Sequence, residues 1–134
     1  MRYLLDTNII SDLVRNPQGR VVRHIHEVGE EQVCTSIIVT AELRFGAMKK
    51  GSPRLTSQLE KVLSVIDILP FETPADITYG ILRARLEQAG TLIGGNDLLI
   101  AAQAIALGLT LVSDNEKEFD RIAELPRENW LRQI

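Results

Sequence analysis

Apolar residues occur along this chain in two kinds of segment, and their alternation predicts the architecture. Short continuous apolar runs predict strands that are buried on both faces. Between them, apolar residues recur every three or four positions, which is typical of amphipathic helices. Strands separated by helices favour parallel pairing with right-handed crossovers. The pattern therefore predicts an α/β protein, a three-layer α/β/α domain around a central, mostly parallel sheet. The predicted strands are Tyr3–Leu5, Gln32–Ser36, Val65–Leu69 and Leu109–Ser113.

Capping and turn residues set the predicted ends of the helices. Asp6 and its polar neighbours can cap the first helix, while Gly29 and Gly51 can end the second and third. Pro74 is placed at the first helical position of the fifth helix, and Gly90 is expected to end it. The predicted helices are Ile9–Val14, Val21–Val28, one from Ser36 or Thr40 to about Lys50, one from Ser52-Pro53 to Leu63, one from Thr73-Pro74, and Asp97–Leu107.

Two predictions concern packing. In the helix after Thr73-Pro74, we expect the apolar side chains Ile77, Ile81, Leu82 and Ala84 to face inward. Near the C-terminus, the segment 128–131 is expected to add an edge strand, with Trp130 as a packing anchor.

The amino-acid composition shows which kinds of protein this chain can be. The 134 residues are 45% hydrophobic and 25% charged, which favours one folded domain over residues 1–134. No apolar run approaches the roughly 20 residues that a membrane span needs, and the N-terminus lacks a signal peptide, so we expect a cytoplasmic protein without a membrane partner. The single cysteine, Cys34, excludes an internal disulfide. With a net charge of −3, any binding of nucleic acid needs a local basic patch or a metal ion.

Three acidic residues lie beside apolar segments, where an ordinary core would not place them. Asp6 ends the first strand, Glu42 lies inside the third helix, and Asp97 opens the apolar segment 98–102. Such carboxylates lose hydration and need a proton, a hydrogen bond or a cation. Asp114 or Asn115, after the fourth predicted strand, is a possible fourth group. Ligands bind beyond the carboxyl ends of parallel strands, so these groups can gather at one sheet edge.

Carboxylate oxygens suit Mg²⁺, with Mn²⁺ as an alternative. A bound divalent ion lowers the pKa of a water molecule and stabilises charge on a phosphate group. Each acid also has a simpler interpretation: Asp6 as a helix cap, Asp97 as a partner of the helix dipole, Glu42 as a solvated residue. No nucleophile elbow or P-loop is present, and His24 and His26 are too close in sequence for a zinc pair on one helix face.

The ordered motifs resemble those of a PIN domain, and more closely the VapC toxins of VapBC toxin–antitoxin modules. The resemblance covers nearly the whole chain, and no single motif is specific. The matching segments are Leu4–Asn8, Ala41–Leu43 with Gly46, Ile93-Gly94, Asp97–Ala102, Gly108–Asn115 with Phe119, and Glu128–Trp130.

This resemblance implies a Mg²⁺-dependent endoribonuclease that forms a homodimer and is inhibited by a VapB-like antitoxin. Asp6, Glu42 and Asp97 match the metal-binding acids of the family. Asn115 lies where many members have a fourth aspartate, which leaves the number of metal ions open between one and two. Ser113 retains a hydroxyl where threonine is common. The C-terminal segment resembles members that act on initiator tRNA, which makes tRNA a candidate RNA substrate.

Supporting roles are also predicted. Asn8 is expected to orient Asp6 or to cap the first helix. Among the basic residues, Arg85 is the first candidate for contact with RNA phosphates, because its helix leads into the loop at Gly94.

Two alternatives to a ribonuclease are left open by the residues. One is phosphoryl transfer on a similar sheet, with Asp6 as nucleophile or Asp67 as phosphoacceptor, although the neighbouring acids that such enzymes need are missing. The other is a non-catalytic module whose acidic pocket binds a metal or a basic peptide. Uptake of metal by the free protein separates this scaffold from the enzyme.

Overall fold

A five-stranded parallel sheet forms the centre of the molecule. The computed structural model describes residues 2–132. Its strand order is β3-β2-β1-β4-β5, with every neighbouring pair parallel. Helices flank the sheet, so the predicted α/β class and its three layers are confirmed. The strands are β1 (Tyr3–Leu5), β2 (Val33–Ser36), β3 (Asp67–Leu69), β4 (Thr110–Val112) and β5 (Arg127–Glu128).

The helices follow the capping signals of the sequence. Ser36 caps α3 through its side chain, and Gly51 ends that helix in the left-handed conformation that glycine adopts without strain. A short 3₁₀ turn, Glu30–Gln32, leads into β2. The α-helices are α1 (Thr7–Arg15), α2 (Arg20–Val28), α3 (Ile37–Lys50), α4 (Pro53–Leu63), α5 (Ala75–Gln88), α6 (Gly95–Leu107) and α7 (Glu116–Phe119).

The central strands supply fully buried apolar side chains to the core. Leu4 and Leu5 of β1 are fully buried, as is Leu111 of β4. Trp130, 1% exposed, packs against Tyr3 and stacks on His24 with ring centroids 5.0 Å apart. Its predicted role as a packing anchor is thus confirmed. An edge strand is present, but it shares only Glu128 with the predicted segment 128–131, because β5 is Arg127–Glu128. Among residues 2–132, no helix is long and apolar enough to cross a membrane.

The fifth helix turns a different face to the core than we predicted. Ile77 and Ile81 are 59% and 66% exposed, and Ala84 is also exposed. Of the four residues expected to face inward, Leu82 alone is buried. The cause is that this helix carries two apolar stripes, and the buried one runs through Ala75, Leu82 and Leu86. Pro74 precedes the helix as its N-cap residue and is not its first helical residue.

Three chain segments bring polar residues to one edge of the sheet. Asp6 follows β1, Ser36 ends β2 and Ser113 follows β4. Leu5 lies beside both Thr35 and Val112 in the sheet register. The backbone N–H of Asp6 donates to the carbonyl oxygen of Val112 at 2.9 Å, which extends the ladder beyond β1. This edge is where a ligand of a parallel sheet is expected.

Candidate functional site

Asp6 is the central carboxylate of this edge and is only 3% exposed. Its Oδ1 accepts a hydrogen bond from the backbone N–H of Thr7 at 2.8 Å, and its Oδ2 accepts one from the Ser113 hydroxyl at 2.7 Å. Burial raises the pKa of Asp6, and the charge of Glu42 adds to the rise, while these hydrogen bonds oppose it. Asp6 therefore caps α1, as predicted, and is also a buried anion.

Glu42 reaches the same region from the adjacent helix. It lies in α3, which packs against α1, and its side chain is half-buried. The Thr7 hydroxyl donates to Glu42 Oε1 at 3.0 Å. Thr7 thus links the two acids, since its backbone N–H binds Asp6 and its side chain binds Glu42.

Asp97 lies in the first turn of α6 and is held by Asn115. The Asn115 side-chain amide donates to Asp97 Oδ2 at 2.8 Å. Burial, and then the charges of Asp6, Glu42 and Glu118, raise the pKa of Asp97 from 3.8 to about 6, while the Asn115 hydrogen bond opposes the rise. A shift with these causes is typical of functional carboxylates.

One hydrogen-bonded network joins the three acids. Asn115 joins Asp97 to the rest of the network, because its backbone N–H donates to the Ser113 hydroxyl oxygen at 3.0 Å while its side chain holds Asp97. The structure therefore brings together all three acids, with Ser113 and Asn115 as their supports. The network runs Glu42, Thr7, Asp6, Ser113, Asn115, Asp97.

Asp114 and Asn8 belong to the rim of the site. The backbone N–H of Asp114 donates to Asn8 Oδ1 at 3.0 Å, and the exposed Asp114 carboxylate accepts from the Asn129 amide at 2.9 Å. Asn8 thus ties the start of α1 to the loop after β4. The prediction that Asn8 caps α1 is wrong, because Asp6 itself is the cap. Thr7 and Ser113 hold the Asp6 carboxylate directly, and an orienting role of Asn8 stays a prediction.

An open cleft of about 560 Å³ lies over the network. Asp6, Asp97 and Asp114 line it, whereas Glu42 lines the neighbouring groove beside α4. Glu42 belongs to the site through its bond to Thr7 and its electrostatic effect on both aspartates. The remaining residues around the cleft are Thr7, Asn8, Ser11, Arg15 and Asn115.

Arg85 does not line the cleft, contrary to our prediction. Its guanidinium forms an ion pair with Glu124 at 2.6 Å, with a second contact of 2.8 Å to the other carboxylate oxygen. The backbone hydrogen bond of Glu124, and then this pairing, lower the pKa of Glu124 against the effect of burial. The ion pair holds the Arg85 guanidinium away from the cleft, and its contact with RNA phosphates stays a prediction.

Two features of the site escaped the sequence analysis. Thr7, Ser11 and Arg15 are spaced four residues apart on one face of α1, a pattern that could have placed Arg15 at the cleft. The second feature is Glu118. Its charge raises the pKa of Asp97, and its buried Oε2 has no hydrogen-bond partner among the described residues. Arg121 lies 3.9 Å from that oxygen.

The donor set fits a hard divalent cation that keeps its own water. Aspartates and a glutamate supply only oxygen, and burial together with the crowding of these acids raises the pKa of Asp97, as expected where a cation is needed. Within residues 2–132, no three His, Cys, Asp or Glu side chains already surround a single point. Mg²⁺ usually takes one or two carboxylates and several waters, so the wider spacing is compatible with it.

Comparison with known proteins agrees with this geometry. The family model described as "PIN domain" matches residues 3–125. "Ribonuclease VapC2" of Rickettsia felis is 41% identical over 97% of this chain and 98% of its own length. The "tRNA(fMet)-specific endonuclease VapC" of Shigella flexneri is 33% identical, with the same coverage.

A solved structure shows the same fold. VapBC2 from Rickettsia felis, bound to a DNA fragment from its promoter, contains a chain that is 40% identical to this one with a TM-score of 0.87. The match covers 97% of this chain and 99% of that chain. From the family model, the curated relatives and the shared fold, the chain belongs to the PIN domain family, in its group of VapC ribonucleases.

Proposed function

We propose that this protein is a divalent-metal-dependent endoribonuclease and the toxin of a VapBC-type toxin–antitoxin module. The observation that carries the proposal is the network that draws Asp6, Glu42 and Asp97 toward one sheet edge and leaves their charges without a cationic partner among residues 2–132. Mg²⁺ is the ion we propose, with Mn²⁺ as a substitute.

The residues of the chain prepare a site for a phosphate backbone. Thr7 and Ser113 fix both oxygens of Asp6, and Asn115 fixes one oxygen of Asp97, whose second oxygen has no side-chain hydrogen-bond partner within residues 2–132. When bound, the divalent ion supplies a water of lowered pKa and stabilises negative charge on the phosphate. The similarity to VapC ribonucleases, and the lack of the neighbouring acids that phosphoryl-transfer enzymes need, disfavour the alternative in which Asp6 is a phosphoryl nucleophile.

RNA is the proposed substrate. The name of the Shigella flexneri relative specifies tRNA(fMet), which makes initiator tRNA the first substrate to test. Such a substrate places the proposed activity in the cytoplasm. A small VapB-like antitoxin is the proposed inhibitor, because the solved relative is a VapBC complex. An arginine of such a partner would find unpaired carboxylates in the cleft.

We also propose that the protein forms a homodimer. The outward stripe of α5 exposes Ile77 and Ile81, and that of α3 exposes Phe45 and Met48, 69% and 81% respectively. Large exposed apolar side chains on neighbouring turns are typical of protein contacts. We expect Ile81→Glu to convert a dimer to a monomer in light scattering after size exclusion. A wild type that is monomeric, or a variant that stays dimeric, would contradict this assignment.

Cleavage of purified tRNA tests the proposed activity directly. The wild type is expected to cut tRNA in the presence of Mg²⁺ and to lose activity in chelator, with cut sites read by sequencing of RNA ends. Asp97→Asn is expected to be inactive, because an amide cannot replace the anion although it can still accept from Asn115. Asp76→Asn is the matched control, since Asp76 also lies in the first turn of a helix but is exposed. Full activity in chelator or in Asp97→Asn would refute the proposal.

A further inference from the structure

We infer that a basic cleft beside the acidic site binds the ribose-phosphate backbone of the RNA strand next to the cut. We define the basic cleft by Arg15, Arg20 and Arg23, which line a cavity of about 650 Å³ at the junction of α1 and α2. The inference rests on the proposed ribonuclease function and adds the path of the substrate to it.

The arginines of the basic cleft differ from the others in lacking carboxylate partners. Among residues 2–132, the arginines without a carboxylate within ion-pair distance are these three and Arg54. Arg23 donates only to the backbone carbonyl of Gly19, at 3.3 Å. The arginines that are paired with acids elsewhere are Arg2, Arg44, Arg83, Arg85, Arg121, Arg127 and Arg132.

Arg15 connects the basic cleft to the acidic one. It lines both cavities, because it lies in the last turn of α1, two turns beyond Thr7 on the same helix face. The chain then passes Asn16 and enters α2, which carries Arg20 and Arg23. A backbone that places one phosphate at Asp6 and Asp97 can therefore continue over Arg15 into the basic cleft.

The charge balance of the basic cleft favours an anionic ligand. Three arginines and one acid, Asp12, line the basic cleft, and Asp12 accepts a hydrogen bond from the Asn16 amide at 2.9 Å. Guanidinium groups bind phosphate oxygens through two parallel hydrogen bonds. A chain with net charge −3 and an acidic site repels RNA over much of its surface. A local group of unpaired arginines supplies the attraction that the whole chain lacks.

Binding of a labelled short oligouridylate in chelator tests the inference apart from cleavage. Replacing Arg15, Arg20 and Arg23 together by alanine removes three phosphate contacts. At about 0.7 per contact for single strands, the slope of log K against log salt is expected to fall by about 2, and affinity near 0.1 M salt by about ten- to a hundredfold. The corresponding triple lysine variant is expected to recover most of the affinity and most of the salt slope, because it restores the three positive charges.

The matched control removes the same charge elsewhere. Replacing the paired arginines Arg44, Arg83 and Arg85 by alanine changes the net charge equally but is expected to leave the salt slope nearly unchanged. Thermal unfolding checks that both triple variants are folded. Equal effects of the two triple variants, or an unchanged salt slope in the first, would overturn the inference.

Cleavage kinetics separate this inference from the proposed function. For a wild type that cuts RNA, the Arg15/Arg20/Arg23 alanine variant is expected to raise KM by about tenfold or more with little change in kcat. A wild type that binds oligouridylate with the predicted salt slope but does not cleave RNA contradicts the proposed function alone. Cleavage with unchanged KM and unchanged salt slope in the variant contradicts the basic cleft alone.

Discussion

Replacing Asp97 by asparagine should make the metal-free protein more stable at neutral pH. The structure raises the pKa of Asp97 from 3.8 to about 6 through burial and through repulsion by Asp6, Glu42 and Glu118. The folded protein thus binds more protons than the unfolded chain between pH 3.8 and about 6. The free energy of unfolding therefore falls as pH rises through that window, and the cost remains in full above it.

The magnitude follows from the two pKa values. The difference between 3.8 and about 6 corresponds to about 3 kcal/mol at about 1.4 kcal/mol per pH unit. Two effects make the stabilisation by Asp97→Asn smaller than this difference. Asp97 is partly exposed, and its replacement loses a favourable helix-dipole interaction of about 0.3–1 kcal/mol. We expect Asp97→Asn to stabilise the metal-free protein by about 1–2 kcal/mol near pH 7.5, or about 4–8 °C in Tm.

Urea and thermal unfolding in chelator measure this effect. Near pH 4 the advantage of Asp97→Asn should vanish, because the aspartate is then protonated in the folded protein. Asp76→Asn is the control: Asp76 is exposed in the first turn of α5, so its replacement should lower stability by up to about 1 kcal/mol. If Asp97→Asn is no more stable than the wild type near pH 7.5, or gains equally at pH 4, burial and repulsion by the neighbouring acids do not destabilise ionised Asp97 as the structure indicates.

Three further predictions concern the same site and its support. RNA cleavage at fixed Mg²⁺ should fall as pH is lowered through about 6, because the raised pKa of Asp97 makes its metal-binding form scarce below that value; a flat pH profile would contradict this. Ser113→Ala should reduce metal affinity measured by titration, since it removes a hydrogen bond that favours ionised Asp6, while Ser113→Thr should retain it. Trp130→Ala should destabilise the protein by about 3–5 kcal/mol in urea unfolding, and a loss below about 1 kcal/mol would show that the indole is not an anchor.

The strand and helix order followed from local signals. Continuous apolar runs located the central strands, and glycines such as Gly29 and Gly51 ended helices where predicted. The gathering of Asp6 and Asp97 was predicted from their positions at the ends of elements, because a parallel sheet brings such ends to one edge. These features depend on residues close in sequence or on the general geometry of the fold.

The errors concern choices that only tertiary packing decides. Helix α5 has two apolar stripes, and the sequence does not show which one faces α6. Arg85 was expected at the cleft because its helix leads into the loop at Gly94, whereas its ion-pair partner, Glu124, is distant along the chain and not readable from the sequence. Arg15 was overlooked because a single arginine on a helix is ordinary until its neighbours in space are known. The residue roles at the candidate site remain predictions that the mutations above test.

Calorimetric titration of Mn²⁺ into the purified, RNA-free protein measures whether these acids form a metal site. We predict saturable uptake near pH 7.5 that Mg²⁺ competes for and that Asp97→Asn abolishes, with proton release when the titration is repeated near pH 6. Absence of uptake by the wild type, or equal uptake by wild type and Asp97→Asn, would contradict a metal site built on these acids.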